Sequence, residues 1–310
     1  MMKIKKMAEK ILIAGGSGLI GKRLTTLLKE EGYEVAWLTR SKQNSGEVKS
    51  YYWNPDKNEI DDVAVKNSDY IINLAGAGIA DKLWTPSRKK LLIDSRTIPT
   101  DLLITTLKNS ENNVKGYFSA SAIGFYGERG DQLLNEFEQP GKGFLAESTI
   151  AWENAIAKAS STKVRWAAFR ISVVVSKNGG ALPKLLIPFL FRVGGYFGSG
   201  AQWYSWIHID DVCRIFIYAI KNENIKGFYN AASPNNVTNL EFTKAVGEAK
   251  GGSFLYIPAP VFLLKLAMGE MSSVILNSTR VSSEKIESTG FKFNFPEIVG
   301  AINDVLNRSI

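Results

Sequence analysis

Short apolar runs alternate with amphipathic stretches through the first 175 residues. Lys10 to Ala14 (KILIA) is an apolar run ending at a glycine, which predicts a strand. From Leu19 to Glu31, Leu19, Ile20, Leu24, Leu27 and Leu28 fall at helical spacing until Gly32 stops the pattern. Glu34 to Leu38 (EVAWL), Tyr70 to Leu74 (YIINL), Gly116 to Ala120 (GYFSA) and Val164 to Val175 predict further strands, and Thr97 to Lys108 a helix. Strands alternating with helices indicate βαβ units. The fold class expected is α/β, a Rossmann-type doubly wound parallel sheet. Wholly apolar strands fit a sheet with helices on both faces.

Beyond Val175 the pattern loosens. Gly179 to Gly200 holds six glycines and two prolines and reads as a loop-rich excursion. Trp206 to Ile220 resumes a strand-then-helix pattern, and Gly227 to Ala232 (GFYNAA) predicts one last strand. From Thr238 onward the chain reads as helices joined by turns at Pro258 and Pro260. The expected organisation is a dinucleotide-binding domain over 8–175, completed by 206–232. A smaller, mainly C-terminal substrate lobe takes 176–205 and 236–310.

Composition narrows the function classes. The chain has 310 residues, 45% hydrophobic and 22% charged, with a net charge of +8, as in an ordinary globular protein. Its lysines and arginines are interleaved with acids, and no nucleic-acid motif accompanies them. The excess charge therefore points to a phosphate-bearing small molecule, with no nucleic-acid partner expected. Cys213 is the one cysteine, so no intrachain disulfide forms and a cytoplasmic location is expected. With His208 as the one histidine, no metal site is expected. Met1 to Lys10 lacks the apolar core of a secretory signal. Val261 to Leu276, broken by Lys265 and Glu270, is too charged to span a membrane, so no membrane partner is expected either.

Between the first strand and first helix stands Gly15-Gly16-Ser17-Gly18-Leu19-Ile20-Gly21. Glycines at this spacing permit a tight turn, close backbone approach to a pyrophosphate, and close helix–strand packing. The start of the helix offers free N–H groups and a positive dipole end. Gly15, Ser17, Gly18, Leu19, Ile20 and Gly21 are thus candidate cofactor residues. At the tip of the second strand an NAD site uses an acid on the ribose 2′-hydroxyl. This chain reads Thr39-Arg40-Ser41-Lys42 instead. Arg40 offers a planar fork for a 2′-phosphate, with Ser41 and Lys42 beside it, so NADP(H) is the cofactor expected. The alternative for Arg40 is an ordinary solvated charge.

These segments resemble the short-chain dehydrogenase/reductase superfamily, in particular its extended, nucleotide-sugar-epimerase-like branch. Gly15-x-x-Gly18-x-x-Gly21 matches that branch's spacing. Asn73-Leu74-Ala75-Gly76 resembles the segment lining the cofactor after the fourth strand, and Phe118 to Ala122 resembles the fifth-strand end. Asn73 to Trp84, Ser119 to Gly127 and Gly198 to Asp211 look more closely like an atypical subgroup called "epimerase family protein", and the resemblance continues through Arg280 to Phe295. It implies that Leu74, Ala75, Gly76 and Ser119 line the cofactor and that Ser121 takes the place of the family's catalytic serine.

The chain departs from that pattern at the chemistry. The family exchanges a proton through a tyrosine whose pKa is lowered by a lysine four residues on. An unperturbed phenol, with a pKa of about 10, is a poor base at neutral pH. None of the eleven tyrosines here has lysine at that spacing. Around the expected place the chain reads Gly143 to Ser148 (GFLAES). Glu147 and Tyr126 are candidate substitutes beside Ser121, with a first-turn helix acid and a packing aromatic as their plainer readings. The arginine that clamps a substrate diphosphate two residues after the family's glutamine is also missing: after Gln202 that position is Tyr204. Trp203, Tyr204 and Trp206 suit a flatter, less charged ligand. Lys82, Trp84, Arg88 and Lys89 either hold an anionic group at the substrate mouth or form a solvated face. His208 reads as a strand-end residue, with Asp210 or Asp211 capping the next helix. The function expected is an NADP(H)-binding oxidoreductase or epimerase-like enzyme acting on an unidentified small hydroxyl or carbonyl substrate. The alternative is a non-catalytic NADP-dependent sensor or regulatory protein.

Overall fold

Eight strands form one sheet in the computed structural model of the protein, which describes residues 8–41 and 47–308. They are β1 (Lys10–Ala14), β2 (Glu34–Thr39), β3 (Lys49–Asn54), β4 (Glu59–Ile60), β5 (Tyr70–Asn73), β6 (Gly116–Ala122), β7 (Arg165–Ile171) and β8 (Gly227–Ala231). Their spatial order is β8-β7-β6-β5-β1-β2-β3-β4, with every neighbouring pair parallel except β3 and β4. Ile11, Leu12 and Ile13 are at most 1% exposed, as a strand covered on both faces requires. The chain runs outward from β1 to β4 and then returns to lay β5 on the other side of β1. That reversal makes a switch point, and ligands of such sheets bind in the crevice at its carboxyl end.

The main helices are α1 (Leu19–Glu30), α2 (Pro86–Asn109), α3 (Phe144–Ala157), α4 (Ile209–Lys221), α5 (Asn239–Lys250), α6 (Val261–Met268) and α7 (Ile298–Asn307). α5 and α7 pack together. The apolar core is continuous from Ile11 to Ala14 through Phe169 and Phe216 to Phe242, Val246 and Ile302.

Several expected elements differ. The helix expected over 97–108 starts at Pro86, where proline suits the first turn and the Thr85 side chain accepts from the Arg88 N–H at 3.2 Å. It runs through Pro99, whose buried ring takes part in the packing. The run 164–175 breaks at Ser172, whose N–H is taken by the Ala231 carbonyl. Val173–Val175 leaves the large sheet and pairs with Trp206–His208. β3 has a half-exposed polar–aromatic pattern, KSYYWN, that carries no strong strand signal.

In the glycine-rich excursion, Val193–Phe197 is a strand parallel to Leu255–Ala259, so the turn expected at Pro258 is a strand instead. The pair forms a two-stranded sheet, in which a proline costs few ladder bonds. Gly194 is required there: a Cβ would stand 2.6 Å from the Tyr256 ring. Among the described residues no helix is long and apolar enough to cross a membrane, and no cluster of histidine, cysteine and acids is arranged to hold a metal.

Candidate functional site

The glycine loop closes the gap between β1 and α1 at the switch point. Gly15 has φ +80°, and a Cβ on it would stand 2.7 Å from the Leu74 carbonyl group. β5's exit is thus pressed against the loop, with the Leu74 N–H donating to the Ala14 carbonyl at 2.8 Å. A Cβ on Gly21 would lie 2.4 Å from the Gly15 carbonyl oxygen, so glycine there sets how closely the helix approaches the strand. Gly16 lies against Trp37 of β2, whose indole N–H donates to Thr25 Oγ1 at 2.9 Å.

Gly18 is the N-cap of α1, with no side-chain cap and no acid in the first turn. The helix's positive end therefore has no side chain of its own to answer it, and Ser17 and Gly18 are exposed. This donor set fits a pyrophosphate. Beside it, the Ala75 N–H donates to Asn73 Oδ1, and Asn73 Nδ2 is fixed by Thr100 and Tyr117. Arg40 and Ser41 stand exposed just past β2. Lys42 lies outside the described residues.

A cavity of about 270 Å³ lies at the carboxyl ends of β6 and β7, with Arg96, which packs against Gly76, in its wall. Ala122 and Gly124 follow from β6, Leu145, Ser148, Thr149 and Trp152 face it from α3, and Ser172 and Val173 follow β7. Trp203, Tyr204 and Thr279 close it from the later part of the chain. The wall is mostly apolar, and several of its hydroxyls are already spent: Ser148 and Thr149 both donate to the Leu145 carbonyl, and Ser172 to the Ala231 carbonyl. Burial pushes the Tyr204 phenol well up from its ordinary value.

The three residues expected to catalyse stand elsewhere. Ser121 points away from the cavity, because neighbouring strand side chains alternate and Ala122 takes the inward place. Its Oγ donates to Glu153 Oε1 at 2.6 Å, and Arg170 grips both oxygens of that carboxylate at 2.8 Å. Tyr126 is fully buried; its hydroxyl lies 2.7 Å from Asn230 Oδ1 and accepts from Arg170. Burial pushes its pKa up to about 12. Glu147 is exposed on the first turn of α3, its plainer reading. Ser119 is buried inside β6, donating to the Ala120 carbonyl.

Other expected residues also resolve. Trp206 is fully buried, donating to the Asn235 carbonyl, and lines no part of the cavity. His208 caps α4 itself: its Nδ1 accepts from the Asp210 N–H at 3.1 Å, while Nε2 pairs with Asp304. Asp210 instead joins α4 to α1 through Arg23. In the cationic cluster, Lys89 pairs with Glu270, Arg88 donates to the Gly78 carbonyl, and Trp84 sits edge-on to Phe144. Arg88 thus ties the loop 77–85 to α2, and Trp84 ties it to α3. Lys82 is exposed.

Sequence reasoning missed Arg96 and Trp152. The signal was present: Leu92, Arg96, Thr100, Leu103 and Leu107 recur at three to four residues, which puts an arginine on the buried stripe of α2.

Comparison with known proteins agrees with this geometry. The model of the NAD-dependent epimerase/dehydratase family matches residues 11–232, and a domain of unknown function matches 259–305. An epimerase family protein of Staphylococcus haemolyticus is 34% identical, covering 96% of this chain and 99% of its own. One of Mycobacterium leprae is 32% identical, covering 96% of each chain. The crystal structure of a human epimerase family protein with NADPH superposes with a TM-score of 0.87 at 27% identity, over 96% of this chain and all of that one. A nucleoside-diphosphate sugar epimerase from Corynebacterium glutamicum gives 0.77 at 33% identity; the match covers 96% of this chain and 58% of that one. With a Rossmann crevice suited to a nicotinamide dinucleotide and a family match across most of its length, the chain belongs to the NAD-dependent epimerase/dehydratase family.

Proposed function

We propose that the protein binds NADP(H) and acts with it on a small hydroxyl- or carbonyl-bearing substrate held in the cavity beside Trp152. One observation carries this reading. At the switch point Ser17 and Gly18 stand exposed at the uncapped start of α1, and Gly76 at the exit of β5 lies beside Arg96 of the cavity wall: a Cβ on Gly76 would lie 3.3 Å from that side chain.

The bound nicotinamide supplies hydride transfer. The chain's own residues bind and orient. Backbone N–H groups of Ser17, Leu19 and Ile20 hold the pyrophosphate, Leu74 to Gly76 form the wall beside it, and Arg40 with Ser41 takes the 2′-phosphate. The lack of an acid after β2 supports NADP(H) over NAD(H), as does the NADPH in the human relative's structure.

Leu145 and Thr149 stand four residues apart on the cavity face of α3, and we read them as the positions of the family's tyrosine and lysine. Neither side chain titrates near neutrality. With the Ser148 and Thr149 hydroxyls held on the Leu145 carbonyl, proton exchange with the substrate then falls to solvent.

The same observation favours a second reading, a cofactor-dependent regulatory protein without turnover. Calorimetry with NADPH and NADH, followed by NADPH oxidation against a panel of carbonyls and enones, tests both. NADPH is expected to bind at least about tenfold more tightly than NADH; equal or absent binding overturns the cofactor assignment. Turnover of any panel member selects the enzyme. Tight NADPH binding without turnover selects the second reading.

A further inference from the structure

Arg96 is the one charged residue among those lining the cavity, and no carboxylate lies within ion-pair distance of it among the described residues. It is largely buried on α2, against the loop after β5. Neutral acceptors fix its fork: Nη1 donates to the Leu92 carbonyl at 2.8 Å and Nη2 to the Ala77 carbonyl at 2.9 Å, with Ser95 Oγ at 3.4 Å. Of the five N–H donors of a guanidinium, Nε–H and one on Nη2 have no partner among the described residues.

The charge lies 5.3 Å from the Trp152 ring. Trp152 lines the same cavity, is 6% exposed, and its buried indole N–H has no hydrogen-bond partner. Burial, with Arg88 adding like charge, lowers the Arg96 pKa to about 10. The group stays charged at neutral pH and gains from an opposite charge. Two unspent donors, one cationic, in an apolar and aromatic wall call for an anion on an apolar body.

We propose that the cavity takes an apolar carboxylate as substrate, its carboxylate held by Arg96 and Trp152. This rests on the reading of the cavity as the substrate site and names the class of compound it accepts. A dinucleotide phosphate offers the same chemistry to Arg96. The substrate is favoured because Arg96 shares the cavity with Trp152, Ile171, Val173 and Trp203 among others, and no lining residue comes from the glycine loop.

Binding of phenylacetate and of its uncharged isostere phenylacetamide, measured by calorimetry with and without saturating NADPH, tests this. Phenylacetate is expected to bind at least about tenfold more tightly than the amide. Arg96→Met is expected to bring the two within about twofold while leaving NADPH affinity unchanged. Arg96→Lys, which keeps the charge and loses the fork, falls between. Trp152→Phe is expected to weaken phenylacetate about tenfold to a hundredfold, the cost of one hydrogen bond to a charged group. Equal affinities for acid and amide in the wild-type protein overturn the proposal, with no variant needed. A preference that survives Arg96→Met also overturns it. Loss of NADPH affinity in Arg96→Met with the acid preference intact assigns the arginine to the cofactor phosphate, and overturns it too. If the wild-type protein fails to bind NADPH, the cofactor reading fails, and the cofactor-free comparison still decides this one.

Discussion

Ser121 Oγ donates a 2.6 Å hydrogen bond to Glu153 Oε1, and this bond, rather than any substrate, holds the hydroxyl. Arg170 binds the same carboxylate through Nε and Nη2, and the ion pair is 4% and 6% exposed. Burial opposes the Arg170 charge, and the Glu153 carboxylate overcomes it, leaving the guanidinium above its ordinary value. The network ties β6 to α3 and β7 beneath the cavity floor.

Removing either acceptor or donor therefore has different consequences. Ser121→Ala is expected to cost about 1 kcal/mol, since Glu153 keeps both Arg170 bonds. NADPH affinity is expected to stay unchanged. Glu153→Ala leaves Arg170 buried without its partner and is expected to cost about 3–5 kcal/mol. Urea unfolding of both variants, with calorimetric titration of NADPH, checks this. A Ser121→Ala protein that folds normally but loses cofactor affinity or turnover would contradict the structural role.

The cofactor preference is expected to sit on Arg40. Arg40→Ala removes a charge-assisted contact worth about 1.5–3 kcal/mol, so NADPH affinity should fall by about tenfold or more while NADH affinity barely moves. Titration of both dinucleotides against both proteins measures the ratio. An equal fall for the two would place Arg40 away from the 2′-phosphate.

The glycine loop and an ordinary turn glycine separate by their surroundings. Gly15 and Gly32 both have positive φ, +80° and +86°. At Gly32 a Cβ would meet nothing within 4 Å, whereas at Gly15 it would meet the Leu74 backbone at 2.7 Å. Gly32→Ala is expected to cost about 1–2 kcal/mol, from backbone strain alone, with cofactor affinity retained. Gly15→Ala is expected to cost more and to abolish NADPH binding, because the loop and the exit of β5 must part. Thermal unfolding with and without NADPH distinguishes them: the ligand should raise the Tm of Gly32→Ala and leave that of Gly15→Ala in place.

His208 gives the chain a pH dependence in a narrow window. Burial lowers its pKa below 6.5, against the opposing pull of Asp210, Asp304 and Asp211. The folded protein thus holds the imidazole neutral, with Nδ1 accepting from the Asp210 N–H. Above the unfolded pKa of about 6.5 neither state is protonated and the histidine adds no slope. As pH falls through 6.5 the unfolded chain gains the proton first, so stability falls until the folded group titrates as well. Because His208 is the single histidine, this slope between pH 7.5 and 5.5 should flatten in His208→Asn, which keeps a capping side chain. Urea midpoints across that range measure it; an unchanged slope in the variant rules out this origin.

The sequence by itself determined the strand–glycine–helix crevice and the α/β class, because those signals are local. A turn at Gly15, an apolar run ending at Ala14 and an amphipathic stretch from Leu19 depend on neighbours a few residues away, and the pattern reports them directly. Only the tertiary structure decided which side chains face the cavity. Ser121 and Ala122 are adjacent in sequence, and the strand's alternation, fixed by pairing with β5 and β7, turns the first toward Glu153 and the second inward. The pairing of Val193–Phe197 with Leu255–Ala259 and the capping of α4 by His208 likewise join segments or set conformations that no local pattern encodes. Arg96 was legible as an arginine on an apolar stripe, but its unanswered charge appears only once Ala77, Trp152 and Trp203 are brought around it by folding.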